Sequence, residues 1–451
     1  MDDTICSIAT SLGIGAISII RVSGKEAIKI VNQIFKGKNL EKVNSHTINY
    51  GYIVNKEEII DEVLVSVMRK PKTYTMEDVV EINCHGGIET TNKVLELLLL
   101  NSCRLAEPGE FTKRAFLNGR IDLMQAEAVS DLINSQTDKA RKIAINGLKG
   151  NGSNLIKNLR EELIKIISNI EVNIDYPEYE DIYEVTIEDI KTKIQDLKNK
   201  LSKIIQEYED AKIIQDGIKT AIIGRPNVGK SSLLNRLLNE EKAIVTDIAG
   251  TTRDIVEGEI LIDGIKLNII DTAGIRETND VVESIGVKKS LDIINQATLT
   301  LLLLDNSQEL TNLDLELIEK TKNKTSIIVI NKNDLDNKLD ISLLKNRNIV
   351  YINTLSNEGI SKLKEEIKKL FNLEKIEKSD YNYITNIRQI AKIKECLQRI
   401  NDIEKGLKDN IPLDMLEIDL KNIWNTLGTI IGESYEEELL DELFSKFCVG
   451  K

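Results

Sequence analysis

The sequence predicts a multi-domain protein that combines α/β domains with a domain made only of helices. Three observations predict this fold class. Strand and helix patterns alternate in the first quarter of the chain, residues 224–231 form a phosphate-loop pattern between a strand and a helix, and apolar residues recur at helical spacing on both sides of that segment. We therefore expect one helical domain interrupted by an inserted domain, because insertions succeed at exposed loop tips.

The length of 451 residues allows about two to four domains. We place an N-terminal α/β domain at 1–117, a first helical part at 118–215, an inserted domain with a parallel-type sheet flanked by helices at 216–372, and a second helical part with a cysteine-containing tail at 373–451. Hydrophobic content of 41% and charged content of 29% are typical of a globular protein.

Composition narrows the location and the partners of the protein. No run of about 18 apolar residues occurs, and no signal peptide follows the acidic N-terminus, so we expect a cytoplasmic protein without a membrane contact. Five scattered cysteines and two histidines argue against a zinc site. The net charge of −13 argues against a general nucleic-acid coat, so any RNA contact must be local or shared with a partner.

The N-terminal segment alternates strands and helices. An apolar strand over residues 16–22 is ended by Ser23-Gly24, and a helix is expected from Lys25. Further strands are predicted at 46–54, 59–68 and 79–84, and a helix at 88–100.

Three charges in this region are unexpected. Arg21 and Glu81 lie inside strand patterns, where charges are rarely buried unless paired, and Arg120 follows in the segment Phe116-Leu117-Asn118-Gly119-Arg120. One interpretation is an Arg21–Glu81 salt bridge or plain surface exposure. The other is a site for an anionic ligand rich in hydrogen-bond donors, in which a glutamate recognises the amino-pyrimidinone edge of a pterin and an arginine pairs with a carboxylate tail.

Helical periodicity dominates the regions that flank the insertion. Apolar residues recur at spacings of three and four over 155–170 and 187–204, and helical patterns return at 381–407 and 413–447. Near the end of the chain, Cys448 lies between Lys446 and Lys451 in the sequence. Two neighbouring lysines would lower the pKa of the Cys448 thiol and so make it reactive. The alternative is a frayed terminus.

The pattern from Gly224 to Ser231, GRPNVGKS, predicts a phosphate-binding loop. It follows the apolar run 220–223 and precedes a helical pattern, as such a loop requires. Glycines let the backbone wrap around phosphates, and the loop N–H groups and the helix N-terminus then face the anion. Lys230 would reach the terminal phosphates, and the Ser231 hydroxyl would ligate Mg²⁺.

Neighbouring motifs indicate that the nucleotide carries guanine. An apolar strand at 267–270 ends in Asp271-Thr272-Ala273-Gly274, whose aspartate can hold a magnesium-bound water and whose glycine N–H can reach the γ-phosphate. A later strand runs into Asn331-Lys332-Asn333-Asp334, and its aspartate can accept two hydrogen bonds that guanine offers and adenine does not. These elements resemble a Ras-like GTPase domain. The Ser-Ala pair that usually contacts the base is replaced by Asn353-Thr354-Leu355.

Across its whole length the chain resembles the tRNA uridine-5-carboxymethylaminomethyl modification GTPases, the MnmE (TrmE) family, whose GTPase domain is of the TrmE-Era-EngA type. The matching motifs span residues 3–451. They are Asp3-Thr4-Ile5, Ile20-Arg21-Val22-Ser23-Gly24, Cys84-His85-Gly86-Gly87, Pro108-Gly109-Glu110-Phe111-Thr112, Ala115-Phe116-Leu117-Asn118-Gly119, Gln125-Ala126-Glu127-Ala128, and the segments 224–232, 246–254 and 447–451.

The resemblance implies a folate-binding and dimerising N-terminal domain, a helical domain and an inserted GTPase domain. It implies a homodimer that works with a FAD-dependent MnmG (GidA) partner, so FAD enters only through that partner. Together they would add an aminomethyl or carboxymethylaminomethyl group to carbon 5 of the wobble uridine of tRNA, with the one-carbon unit taken from 5,10-methylene- or 5-formyl-tetrahydrofolate.

Site residues follow from the matched positions. The resemblance implies folate contacts at Arg21, Glu81, Arg120 and Lys451, and catalytic roles for Lys230, Cys448 and Glu283, the last of which would orient the attacking water. The implied GTP-binding set is Asn227, Val228, Gly229, Lys230, Ser231, Ser232, Thr246, Asp247, Ile248, Ala249, Gly250, Thr251, Thr252, Asp271, Thr272, Ala273, Gly274, Asn331, Lys332 and Asp334. Within it, Ser231 and Thr252 are the Mg²⁺ ligands, and Asn227, Thr246, Ile248 and Thr251 are the K⁺ ligands.

One position explains why a second cation is expected. Ile275 stands where Ras has the glutamine that positions the attacking water, and isoleucine cannot do this. The side-chain oxygen of Asn227 suits a large, weakly hydrated cation, so K⁺ would stand where an arginine finger stands in other GTPases. The rival hypothesis is a binding module, in which GTP only gates assembly on tRNA or the ribosome and folate has no role.

Overall fold

The computed structural model describes residues 3–175, 187–240, 256–262, 265–270, 293–371, 384, 386–409, 411–435, 437–447 and 450. These residues form two compact units. The first unit comprises residues 1–134, 144–202 and 386–451, and the second comprises 135–143 and 203–385. None of the helices within these described ranges is long and apolar enough to cross a membrane.

The first unit begins with a seven-stranded sheet of order β3-β4-β5-β6-β2-β1-β7. Neighbouring strands are antiparallel except β1 and β7, which are parallel. Its strands are β1 (Ile5–Ile8), β2 (Ile17–Ser23), β3 (Phe35–Gly37), β4 (Thr47–Asn55), β5 (Glu58–Met68), β6 (Val79–His85) and β7 (Arg104–Leu105). The strands predicted from alternation are confirmed, whereas the short β1, β3 and β7 were not predicted.

Two helices cover one face of this sheet, α1 (Ala27–Ile34) and α2 (Ile88–Leu100). The apolar positions of α1 recur at helical spacing and are buried with those of β2, β5 and β6 in one core. Alternation places the other side chains of the same strands on the opposite face, which carries Arg21 and Glu81. The sheet therefore has one face covered by helices, and an opposite face that is open over β4 and β5 but is buried at β1, where Ile5 packs with Phe111.

The helices of the first unit come from both sides of the second unit in the sequence. They are α3 (Glu110–Leu117), α4 (Leu123–Asn134), α5 (Asp138–Leu148, shared between the units), α6 (Asn151–Asp175), α7 (Ile187–Asp216, which continues into the second unit), and, after the second unit, α11 (Ile387–Lys408), α12 (Leu413–Ile431) and α13 (Glu437–Ser445). Helix α12 packs against both α6 and α11.

Two arginines connect these helices through contacts with residues on other helices. Arg160 of α6 stacks on the Trp424 ring of α12 at 3.9 Å and donates a hydrogen bond to its carbonyl. Arg388 of α11 donates to both carboxylate oxygens of the buried Glu127 of α4. Helices from before and after the second unit in the sequence thus share one set of buried contacts.

The second unit is built on a six-stranded sheet of order β13-β12-β11-β8-β10-β9. Its strands are β8 (Ile218–Ile223), β9 (Val256–Ile262), β10 (Ile265–Ile270), β11 (Leu299–Asp305), β12 (Ser326–Asn331) and β13 (Asn348–Tyr351). All neighbours are parallel except β9, an antiparallel edge strand that was not predicted. The described helices around it include α8 (Lys230–Glu240), α9 (Asn312–Lys320) and α10 (Ile360–Leu370).

Apolar clusters lie on both faces of this sheet, which explains why β11 and β12 are continuous hydrophobic runs. Chain order and strand order together make this a doubly wound fold, in which ligands bind beyond the carboxyl ends of the strands. The predicted combination of an N-terminal domain, a helical domain and a Ras-like domain is confirmed.

Candidate functional site

The loop between β8 and α8 has the backbone of a phosphate-binding loop. Gly224, Asn227 and Gly229 have φ angles of +148°, +63° and +103°, so the chain coils tightly before the helix begins. A Cβ atom added at Gly224 would lie 2.5 Å from the carbonyl oxygen of Leu303, and one added at Gly229 would overlap the side-chain nitrogen of Asn331. The loop therefore needs glycine at these positions, and it leads into a helix N-terminus that favours anions.

Lys230 lies over this loop. Its ammonium donates hydrogen bonds of 2.8 Å to the carbonyls of Gly224 and Arg225. Burial lowers the pKa of the Lys230 ammonium, and an anionic phosphate bound in the loop would favour the charged form. The side chain predicted to contact the terminal phosphates is thus already placed at the loop.

Asn331, at the carboxyl end of β12, joins three segments. Its side-chain Nδ2 donates to the Val228 carbonyl in the phosphate loop at 2.8 Å, and its Oδ1 accepts from the Thr354 N–H at 3.2 Å. The residue is 1% exposed. The buried side-chain amide of Asn331 therefore holds together the phosphate loop, the guanine motif and the segment after β13.

Lys332 forms the second link at this edge. Its Nζ lies 2.6 Å from Asp305 Oδ2 at the end of β11, and the other carboxylate oxygen accepts hydrogen bonds from the Ser307 N–H and hydroxyl. Burial alone would raise the pKa of Asp305, but the hydrogen bonds from Lys332 and Ser307 outweigh it and the pKa is lowered. Asp334 follows on the exposed side of the same turn.

The structure brings together part of the predicted nucleotide site. Asn227, Val228, Gly229, Lys230, Ser231 and Ser232 follow β8, and Asn331, Lys332 and Asp334 end or follow β12, so both groups lie at the carboxyl edge of the parallel sheet. The remaining predictions lie outside the described residues, namely Thr246, Asp247, Ile248, Ala249, Gly250, Thr251, Thr252, Asp271, Thr272, Ala273, Gly274, Ile275 and Glu283.

In the first unit, Arg21 and Glu81 are direct cross-strand neighbours on β2 and β6. Arg21 Nε and Nη2 lie 2.9 and 2.8 Å from Glu81 Oε1. Their side chains are 18% and 24% exposed, so this pair lies partly open on the free face of the sheet. The expected salt bridge is confirmed, and the expectation of a ligand stays a prediction.

Aromatic and terminal residues surround this pair. The Arg21 guanidinium lies 5.7 Å from the ring centres of both Tyr74 and Phe111, and Arg120 lies 4.4 Å from the Tyr74 ring. Arg21 Nη1 also donates to the Gly450 carbonyl at 3.2 Å. We call Arg21, Glu81, Tyr74, Phe111 and Arg120 the arginine–aromatic cluster.

The sequence did not reveal every member of this cluster. Tyr74 precedes β6 in a turn without a recognisable pattern, and Gly450 is 429 residues from Arg21 in the chain. Phe111 belongs to the motif at 108–112, which carries the family resemblance but gives no sign of a contact with Arg21. Cys448 and Lys451, which flank Gly450, lie outside the described residues.

The second unit defines the class of protein. A doubly wound parallel sheet that carries GRPNVGKS after its first strand and NKND after its fifth is a P-loop protein with the guanine-nucleotide motif.

Comparison with known proteins covers the whole chain. A family model described as the MnmE helical domain matches residues 123–448, and one described as the GTP-binding protein TrmE N-terminus matches 4–120. The chain is 51% identical over 456 residues to the tRNA modification GTPase MnmE of Ligilactobacillus salivarius (strain UCC118), covering 100% of this chain and 98% of that protein. It is 50% identical over 458 residues to that of Bacillus licheniformis, covering 100% of both.

Among solved structures, the G domain of the T. maritima FeoB iron transporter aligns with 34% of this chain and 98% of its own, at 24% identity and a TM-score of 0.25. The full-length identity and the two family models lead to one assignment. The chain belongs to the MnmE family of tRNA modification GTPases.

Proposed function

We propose that the chain hydrolyses GTP and, with a FAD-dependent MnmG (GidA) partner, adds an aminomethyl or carboxymethylaminomethyl group to carbon 5 of the wobble uridine of tRNA. The one-carbon unit comes from 5,10-methylene- or 5-formyl-tetrahydrofolate. The observation that carries the proposal is the Asn331 link, because it joins a phosphate loop and a guanine motif at one edge of the sheet.

In the GTPase reaction, the chain's own residues bind and orient the nucleotide. Lys230 pairs with the terminal phosphates, Asp334 recognises the guanine ring, and Glu283 orients the attacking water. Ser231 and Thr252 would hold Mg²⁺ through their hydroxyl groups. Asn227 is exposed in the loop with its backbone in the left-handed region, so its amide oxygen can join Thr246, Ile248 and Thr251 as a K⁺ ligand. A K⁺ ion held by these residues would offset negative charge in the transition state.

The arginine–aromatic cluster is the proposed folate site. Arg21 and Arg120 supply two cations for the carboxylates of the ligand, Glu81 supplies a carboxylate for its donor groups, and the half-buried ring of Tyr74 suits a planar pterin. Phe111 is fully buried and supports Arg21 from the core. Lys451 is assigned to the same site by the family resemblance, and the contact of the neighbouring Gly450 carbonyl with Arg21 supports this assignment. We assign Cys448 a catalytic role.

The open face of the N-terminal sheet is the proposed homodimer surface. Ile17, Ile48, Tyr50 and Leu64 are 63%, 69%, 57% and 46% exposed on the strands of this sheet. Tyr50 pairs with Leu64 across β4 and β5, so these two apolar side chains are direct neighbours, whereas Ile48 faces Ser66 and Ile17 faces His85. An apolar sheet face of this kind marks an interaction surface, and it adjoins the proposed folate site.

The domain organisation proposed for this function is folate binding and dimerisation at 1–117, a helical domain at 118–215 and 373–451, and an inserted GTPase domain at 216–372. We place the protein in the cytoplasm, where tRNA and the flavoprotein partner are available.

The test is a reconstitution. The chain is mixed with its flavoprotein partner, FAD, GTP, KCl, 5,10-methylene-tetrahydrofolate, an amine donor and unmodified tRNA, and the tRNA nucleosides are analysed by mass spectrometry. The wobble uridine should gain the mass of the added group, and the gain should vanish without GTP, without folate or with the Lys230→Ala chain. An unchanged uridine in the complete mixture would refute the proposal.

A further inference from the structure

The segment after β13, Asn353-Thr354-Leu355, lies beside the guanine motif. Strands β12 and β13 are parallel neighbours, and the Thr354 N–H donates to Asn331 at the end of β12. This is the place where a Ser-Ala pair usually contacts the base in Ras-like domains. The segment thus occupies the position of a base-contacting loop with an unusual sequence, and we call it the base loop.

Side-chain hydrogen bonds hold the backbone of the base loop on both sides. The Asn353 Oδ1 accepts from the N–H groups of Leu355 and Ser356, at 2.8 and 3.2 Å. The carbonyls point to Arg236 of the helix α8, whose Nε donates to Thr354 O at 2.9 Å and whose Nη2 donates to Leu355 O at 2.7 Å. Asn353 is close in sequence, whereas Arg236 reaches the loop from 118 residues away.

Apolar packing does not fix the tip of this loop. Leu355 is 79% exposed, although Asn353 and Thr354 are each 6% exposed. The position of the tip therefore depends on its hydrogen bonds. A planar guanidinium with two donors directed at successive carbonyls defines the backbone far better than a single contact does.

We propose that Arg236 is a positioning residue for guanine binding, because it fixes the backbone of the base loop from the helix that follows the phosphate loop. This inference rests on the proposed binding of GTP and adds a residue that determines affinity for the base. The contacts of Arg236 that carry this role are those with the base-loop carbonyls of Thr354 and Leu355. The N-terminus of helix α8 would face the phosphates, and Arg236, about 1.7 turns later, holds the base loop, so one rigid element sets both halves of the site.

The test compares a ligand that has a base with one that lacks it. Affinities for GDP and for inorganic pyrophosphate are measured on the full chain by competition with a fluorescent GDP whose own affinity is determined for each variant. Arg236→Ala should bind GDP roughly tenfold more weakly, as expected for the loss of charge-assisted hydrogen bonds. Pyrophosphate affinity should be unchanged, because the phosphate loop is intact.

Arg236→Lys keeps the charge and the alkyl stem but loses the fork, so its GDP affinity should fall between those of the parent and Arg236→Ala. Asn235→Ala, at the exposed neighbour on the same helix, is the control and should match the parent. Parallel losses of GDP and pyrophosphate affinity would overturn the inference, as would unchanged GDP affinity in both Arg236 variants. A parent chain that binds no GDP would instead refute the proposed function.

Discussion

The side-chain amide of Asn331 donates a hydrogen bond to the main-chain carbonyl of Val228, with 2.8 Å between the two atoms. Val228 belongs to the phosphate loop and Asn331 to the guanine motif, so the two halves of the proposed GTP site are in direct contact. The link is buried, which makes it strong relative to the same contact at a surface.

Asn331→Ala should weaken GDP binding and destabilise the second unit. The substitution leaves the Val228 carbonyl and the Thr354 N–H without this partner in a buried place, which costs about 1–3 kcal/mol per unsatisfied group. Fluorescent-nucleotide titration measures the affinity. Asn348→Ala, at an exposed position of β13, is the control and should behave as the parent. Equal GDP affinity in the parent and Asn331→Ala would show that the link is dispensable.

Strands β8, β10, β11 and β12 of the second unit were predictable because they are apolar runs, and β8, β10 and β12 also lead into recognisable motifs, whereas β9 and β13 were not predicted. β11 and β12 are buried on both faces, so their sequences are unbroken hydrophobic runs. The antiparallel strand β9 has a mixed sequence, Val-Glu-Gly-Glu-Ile-Leu-Ile, and lies at the edge of the sheet, where among the described residues only β10 pairs with it and the pattern is weak. Two-residue strands such as β7 have no periodicity at all.

Site contacts between distant segments were harder to predict. Arg21 and Glu81 could be suspected because charges interrupt two strand patterns. Arg236 offers no such signal, because an arginine on a helix is ordinary and its partners lie 118 and 119 residues away. The same holds for the contact between Arg21 and the Gly450 carbonyl. The sequence pattern identifies helices, strands and motifs, whereas contacts between segments that are distant in the sequence depend on the assembled fold.

Potassium should accelerate GTP hydrolysis through Asn227. We expect a much higher turnover in KCl than in NaCl at equal ionic strength, since the cation takes the place of an arginine finger, which contributes about 10³- to 10⁵-fold. Asn227→Ala should lose this stimulation and keep GTP affinity. Asn346→Ala is a matched control, because Asn346 is also exposed and has a similar φ of +65°. Equal rates in the two salts for the parent would eliminate the potassium site.

Folate binding should depend on the Arg21–Glu81 pair. Arg21→Ala removes a cation and leaves the Glu81 carboxylate partly buried without its partner, so tetrahydrofolate affinity should fall by roughly tenfold or more. Calorimetric titration of the parent and of Arg21→Ala and Glu81→Ala measures the effect. Lys29→Ala, which removes the exposed Lys29–Glu26 pair of the same unit, should leave affinity unchanged. Retained affinity in both cluster variants would favour a GTP-gated assembly factor without folate chemistry.

Asp305 should give the second unit a pH-dependent stability. Its folded pKa lies below the ordinary aspartate value, because hydrogen bonds from Lys332 and Ser307 outweigh the effect of burial. A lowered carboxyl pKa contributes stability that is present above the unfolded value of about 3.9 and is lost as the pH falls through the folded pKa. Asp305→Asn removes this contribution and should cost about 1–3 kcal/mol at pH 7.

Hydrogen exchange in peptides that cover β11 and β12 measures this effect, because the single tryptophan, Trp424, lies in the first unit and does not report on the second. The difference in protection between the parent and Asp305→Asn should be full at pH 7. It should shrink as the pH falls from the ordinary aspartate pKa through the lowered folded pKa, below which the carboxyl group of the folded parent is neutral. Asp336→Asn, at an exposed position after the guanine motif, should show no difference at either pH. A difference in protection that stays constant at all pH values would mean that Asp305 stabilises the fold through its shape and hydrogen bonds. It would not then act through the attraction between its negative charge and the Lys332 ammonium.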